Sequence, residues 1–270
     1  MKGALTLLAN SLKRVRLLVL TMGALLAGFQ ILLTLVAASI QRTRGFDDLT
    51  AIVPDFMRQL MGPSLIGLMS FAGIVSVGYF HLAVMGSLVG LMIALATEPA
   101  SEIETGFMDL ILSRPLARIW VIGRSVAILI ISTIFVLAIM SIGTWAGLRW
   151  LAPEGVEGPS PQLIRSLVIN LGVLMLCWGG VALAISSISR RRSVAGAIAG
   201  LLALTTFLLD YVARTWEPAQ ALAWLSPFKY YGPLDLVMGL ALPAKNLWIL
   251  GSVTVSSFAL AFWLFSRRDI

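Results

Sequence analysis

The sequence predicts an all-α polytopic membrane protein with six transmembrane helices, an N-terminal amphipathic helix and a charged cytoplasmic loop helix. Three observations predict it. Hydrophobic residues make up 59% of the 270-residue chain and charged residues only 12%, against about 25% charged in soluble domains. Mean hydropathy is +0.93. Uncharged runs recur at lengths close to the ~20 helical residues that a ~30 Å hydrocarbon core requires. The length fits a single domain, residues 1–270, and spans with short connections leave no room for a soluble catalytic domain. Cys177, the single cysteine, lies in an apolar run and supports neither a disulfide framework nor a cysteine metal cluster.

The N-terminal segment comes first. Leu5, Leu8, Leu12 and Val15 fall at helical spacing, with Lys2, Thr6, Asn10 and Lys13 on the opposite side. That pattern describes an interfacial amphipathic helix or an overhang of the first span. The uncharged stretch from Leu17 to Gln41 then exceeds the 7–15 apolar residues of a secretory signal, so it is read as a retained span. The spans are placed near Leu17–Ile40, Val77–Thr97, Trp120–Gly143, Leu167–Ser187, Val194–Leu209 and Leu247–Phe265. No charged residue occurs between Arg58 and Glu98, a gap too long for one helix, and Gly62–Ser76 is read as an external or half-inserted helix leading into the second span.

Charge sets the orientation. With six spans, the positive-inside rule assigns Lys2, Lys13, Arg14, Arg16, Arg114, Arg118, Arg124, Arg190, Arg191, Arg192, Arg267 and Arg268 to the cytoplasm. The remaining bases are balanced by acids outside, so the whole formal +7 sits on the inner face. Both termini are expected to be cytoplasmic. Outside, Arg42–Met61 and Asp210–Asn246 are long enough for helices, with Glu217–Trp224 and Pro233–Leu240 as candidates. The pairs Gly86/Gly90, Gly143/Gly147 and Gly196/Gly200 are candidate helix contacts.

Function concentrates in Glu98–Arg124, where four carboxylates and three arginines lie between two apolar spans. Ser101, Glu102, Ile103 and Glu104 match the capping-box pattern, which predicts a helix start. Ile103, Phe107, Leu110 and Ile111 form one apolar face, and Pro115 ends the helix. Elsewhere the spans hold no mid-span acid or base, which argues against proton- or sodium-coupled transport. His81 is the one exception and is read as a packing residue. One histidine and one cysteine leave little for an intramembrane enzyme, and no Gly-x-x-x-x-Gly-Lys-Ser/Thr occurs.

The run Glu102, Glu104, Gly106, Asp109, Leu110 to Ser113, Pro115, Arg118 and Gly123-Arg124 resembles the first cytoplasmic loop of type-2 ABC transporter permeases, the membrane subunits of ATP-driven exporters. Phe107 stands where that loop usually carries Thr, Ala117 where it carries Ser, and Arg124 where it carries Lys. Leu225-Ser226-Pro227-Phe228-Lys229-Tyr230-Tyr231 and the ending Phe265-Ser266-Arg267-Arg268-Asp269-Ile270 are similar to segments of the same permeases. The resemblance implies a permease without its own nucleotide site, served by an ABC ATPase subunit in two copies and by a second permease subunit, as a homo- or heterodimer. It implies no cofactor on this chain, ATP being bound by the partner, and no nucleic-acid partner; membrane lipid surrounds it, in a bacterial inner membrane. The loop helix becomes a coupling helix, with Glu102, Glu104, Gly106, Asp109, Pro115 and Arg118 carrying contact to the ATPase. Arg190-Arg191-Arg192 would add a second contact or simply anchor the topology. The implied function is export of a hydrophobic or amphipathic substrate. The alternatives are a membrane scaffold on the same fold and a proton-coupled carrier.

Overall fold

A computed structural model describes residues 2–43, 68–112 and 119–268. Among them every regular element is a helix, and six segments are long and apolar enough to span a bilayer. The first, α1 (Lys2–Arg42), is one continuous helix of 41 residues. The amphipathic segment and the first span are therefore a single rod. At 1.5 Å per residue it is about 62 Å long, roughly twice the hydrocarbon thickness.

The second span is broken. Helix α2 (Phe71–Val77) starts at Ser70, whose hydroxyl accepts from the Gly73 N–H at 3.0 Å, and α3 (Leu82–Ala96) resumes after a tight turn through Gly78–His81. Sequence reading places this span at Val77–Thr97 with Gly62–Ser76 outside it. The apolar segment instead runs Phe71–Ala96, and Gly62–Gly67 lies outside the described residues, as do Arg44–Met61. His81 restarts the helix, its Nδ1 accepting from the Ala83 N–H at 3.3 Å, and its ring packs on Phe29 with centroids 5.4 Å apart. The break frees backbone groups, which hydrocarbon does not satisfy. The Tyr79 carbonyl accepts from the Tyr231 hydroxyl at 2.9 Å, and the Tyr79 hydroxyl bonds Thr144 at 2.8 Å.

Two short helices follow, α4 (Glu98–Glu104) and α5 (Phe107–Leu112), then the third span α6 (Ile119–Leu151). The fourth span, α7 (Pro161–Ile188), opens at Ser160 with Pro161 in its first turn, and the fifth is α8 (Arg192–Ala213). A cover between the fifth and sixth spans consists of α9 (Glu217–Gln220), 3-10 turns at Ala223–Leu225 and Pro227–Tyr230, and α10 (Pro233–Val237). The two expected external helices are thus shorter than Glu217–Trp224 and Pro233–Leu240. Pro218, Pro227 and Pro233 each start a new turn, and Gly239 at φ 85° stops the last. The sixth span is α11 (Ala244–Ser266).

Helix α7 is the axis of the bundle. Its most apolar window is 67% buried, against 17% for α11 and 22% for α8. It packs along α11 and α3, while α1 lies against α6. The cover is pinned to this axis by Phe228, 5.6 Å from the Trp178 ring and 5.4 Å from Phe207, and Ser226 donates to the Thr206 carbonyl at 2.8 Å. Burial pushes the Tyr231 phenol pKa up, which keeps this hydroxyl a donor to Tyr79.

Of the three glycine pairs, Gly143/Gly147 makes an internal contact. A Cβ on Gly143 would lie 2.6 Å from the Ala27 Cα, and one on Gly147 2.7 Å from the Thr34 hydroxyl oxygen. Close approach of backbones is how apolar helices associate in lipid. A Cβ on Gly86, Gly90, Gly196 or Gly200 would meet nothing within 4 Å.

Gly143→Ala drives a methyl into α1 backbone that has no rotamer to yield. It is expected to cost about 1–3 kcal/mol, the usual scale of overpacking, while Gly251→Ala, which meets open space, is neutral or stabilising. Thermal unfolding of the two variants in detergent checks this.

Candidate functional site

The charged loop is built on α4, and its start is set by proline. Pro99 has no N–H to extend α3 and fits a first helical turn, so the chain kinks at Thr97 and α4 begins at Glu98. The capping box is corrected accordingly: Ser101 is inside the helix, where its carbonyl accepts from the Thr105 N–H at 3.0 Å. The expected single helix is also divided. Gly106 at φ 70° takes the left-handed conformation that glycine adopts without strain, ending α4 and redirecting the chain into α5.

On α4, Glu98 and Glu102 are four residues apart, one turn of the same face. Each finds cations from other helices. Arg124, near the start of α6, donates from Nη1 to Glu102 Oε1 at 2.9 Å and from Nη2 to Oε2 at 2.6 Å, with both side chains 3% exposed. This is a two-pronged, buried pair, a geometry a lysine cannot reproduce. Arg14 of α1 lies 3.4 Å from Glu98 and 3.7 Å from Glu102. Arg192, opening α8, approaches Glu98 at 3.6 Å, gives its Nη2 to the Ala94 carbonyl at 3.1 Å and its backbone N–H to Glu104 at 2.9 Å. The Ala100 N–H donates to the Ser186 hydroxyl of α7 at 3.3 Å.

The three glutamates therefore tie α4 to α1, α6 and α8, and its backbone ties it to α7. The C-terminal motif joins them. Arg268 donates to the carbonyls of Ser187 at 3.0 Å and Ser189 at 2.9 Å, closing the end of α7, and burial together with nearby Arg190 holds its pKa below the usual guanidinium value.

Of the sequence-derived site residues, the structure groups Glu102 and Glu104 on α4, Gly106 in the turn and Asp109 on α5. Pro115 and Arg118 lie outside the described residues. The exposed surface is α5: Met108 is 1% exposed and anchors it, while Phe107 and Leu110 are 41% and 65% exposed. Arg14 lies over the Phe107 ring, 5.5 Å from its centroid. Sequence reading placed Glu98 and Arg124 at the ends of the functional segment and offered Arg192 as a second contact or a topological anchor, without a partner for any of them, and left Arg14 and Ser186 out of the site. The available signal was the Glu98–Glu102 spacing, which puts two carboxylates on one face of a charge-poor chain. Among the described residues no cluster of His, Cys, Asp and Glu is arranged to hold a metal.

Arg124→Leu leaves Glu102 buried without its partner, a loss expected to cost about 3–5 kcal/mol, whereas replacing both members by leucine is expected to restore most of it. Arg124→Lys keeps charge but loses the fork and should fall between. Detergent melting curves of the three variants provide the test, and an equal loss in single and double variants would contradict the assignment.

The profile of the family described as ABC-2 family transporter protein matches residues 9–270. No curated protein matches the chain. The match spans all six apolar helices and the charged loop, and it agrees with a membrane subunit that has no nucleotide-binding site of its own. The chain belongs to the ABC-2 transporter family, as a multi-pass permease subunit.

Proposed function

We propose that this permease exports a hydrophobic or amphipathic substrate using ATP hydrolysed by a separate ABC ATPase, and that α5 is the surface the ATPase engages. The observation that carries this is the exposed apolar pair Phe107 and Leu110, set beyond the spans on a helix whose base is fixed by ion pairs to three spans. Exposed apolar side chains beside a charged loop support a partner surface there. Gly106, with open space around it, lets a partner approach the backbone.

In this reading Glu102 acts at one remove. Its carboxylate is engaged by Arg124, so it holds the loop instead of touching the ATPase, and force on α5 passes through α4 into α6, α1 and α8. Glu104 is exposed and shares the rim with α5. Asp109, Pro115 and Arg118 complete the proposed contact. Arg14 of α1, through Glu98, and Arg268, through Ser187, lie at the same end of the bundle as this loop, and the arginine excess there supports reading that face as cytoplasmic. Two ATPase copies and a second permease subunit would complete the transporter. The unoccupied glycine faces of α3 and α8 favour such a subunit.

The spans favour ATP as the energy source. Their buried polar residues are uncharged apart from Arg124 and Asp210, which sit near span ends and are paired. A proton-coupled carrier needs an ionisable group at depth.

Leu110→Asp is expected to abolish ATPase co-purification and transport while leaving thermal stability unchanged, because the side chain meets solvent. Undiminished co-purification would remove α5 from the coupling role. Transport into inverted vesicles is also expected to persist when an uncoupler collapses the proton gradient at constant ATP, and to persist in His81→Ala. That variant loses a helix cap, worth about 1 kcal/mol of stability, and the ring contact with Phe29.

A further inference from the structure

At the charged end of the bundle, the first turn of α6 and the last turns of α11 enclose a crevice of about 400 Å³. Ile119, Ile122, Ala259, Phe262 and Trp263 contribute apolar walls. The hydroxyl of Ser266, also in the lining, is turned to the Trp263 carbonyl at 2.8 Å, so the interior offers little to a polar ligand. Ile119 and Trp263 are 62% and 49% exposed, which leaves the crevice open at its side, between two spans.

Its rim is cationic. The Arg267 guanidinium lies 4.4 Å from the centroid of the Trp263 ring, and Arg190 faces the same end of the bundle, close enough to influence Arg268. Arg190 and Arg267 are exposed and have no ion pair among the described residues. An apolar slot between the ends of two spans, beside an arginine with no ion pair among the described residues, matches a molecule with a hydrocarbon chain and an anionic head.

We propose that this crevice binds one anionic glycerophospholipid, with an acyl chain between α6 and α11 and the phosphate on Arg267. A free phosphate would leave the slot empty, and a zwitterionic lipid would carry its own cation to the rim. The site is independent of the ATPase reading, since it needs neither nucleotide nor partner. It has a consequence for the loop: the wall formed by Ile119 and Ile122 is the turn that presents Arg124 to Glu102, so an occupied crevice braces the helix holding the buried pair.

The test uses the full chain, purified and delipidated in detergent, with lipid retention read by native mass spectrometry. Phosphatidylglycerol, phosphatidylcholine of the same chains, and inorganic phosphate are the probes. Wild type is expected to retain one phosphatidylglycerol about fivefold more tightly than phosphatidylcholine, the gain from one arginine near an anionic surface. Arg267→Gln should erase that preference without changing phosphatidylcholine binding. Ala259→Trp, on an exposed position, should fill the slot and remove the tightly held lipid at unchanged melting temperature. Equal binding of the two lipids, a preference surviving in Arg267→Gln, or displacement by inorganic phosphate alone would overturn the proposal. So would efficient disulfide-linked dimers of Ser266→Cys, which would assign the crevice to a second copy of the chain.

Discussion

A carboxylate and a guanidinium sealed together at 3% exposure constrain everything at the charged end of this permease. Neither ion tolerates burial alone, because desolvation costs several kcal/mol per charge, so α4 and α6 form their junction together or not at all. The rest of the lattice is organised around that pair. Arg14 reaches both Glu98 and Glu102, Arg192 closes over Glu98 and Glu104, and Ser186 takes the helix backbone. The short helix is thus a node where four spans meet, and it presents α5 on a fixed base.

The opposite end follows a second constraint, that no backbone polar group be left to hydrocarbon. Interrupting the second span at Gly78–His81 exposes a carbonyl at Tyr79, and a phenol from the cover satisfies it. The Ser226-Pro227-Phe228 segment then acts as an anchor, with its ring inserted beside Trp178 and Phe207. The cover is consequently part of the bundle.

Composition and run length made the helical membrane class legible, because both follow from the bilayer as solvent and need no tertiary contact. The site was legible only in outline. Glu102 announced itself as a charged residue in a loop, and nothing local reveals that its partner stands 22 residues on. Ser101 and Glu104 satisfy the pattern of a helix start, yet Pro99 begins the helix earlier and overrides it. The break at Gly78–His81 was hidden because Gly, Tyr, Phe and His are all compatible with an apolar span; its cause is the Tyr79–Thr144 and Tyr79–Tyr231 pairing, which exists only once α6 and the cover are in place. The terminal Phe-Ser-Arg-Arg run carried a resemblance without a mechanism, and the structure supplies one in Arg268 bonded to the end of α7.

Burial is graded across the ion pairs around α4, and the gradient separates them by their response to ionic strength. Arg14 and Arg192 are 51% and 44% exposed, so mobile ions reach their contacts with Glu98 and weaken them as salt rises; at physiological salt the screening length is about 8 Å. Arg124 and Glu102 are shielded from that atmosphere. Raising salt therefore loosens the ion pairs that α1 and α8 make with the loop while the buried pair to α6 and the Ala100–Ser186 hydrogen bond to α7 persist, so that α4 is held from two spans instead of four without unfolding.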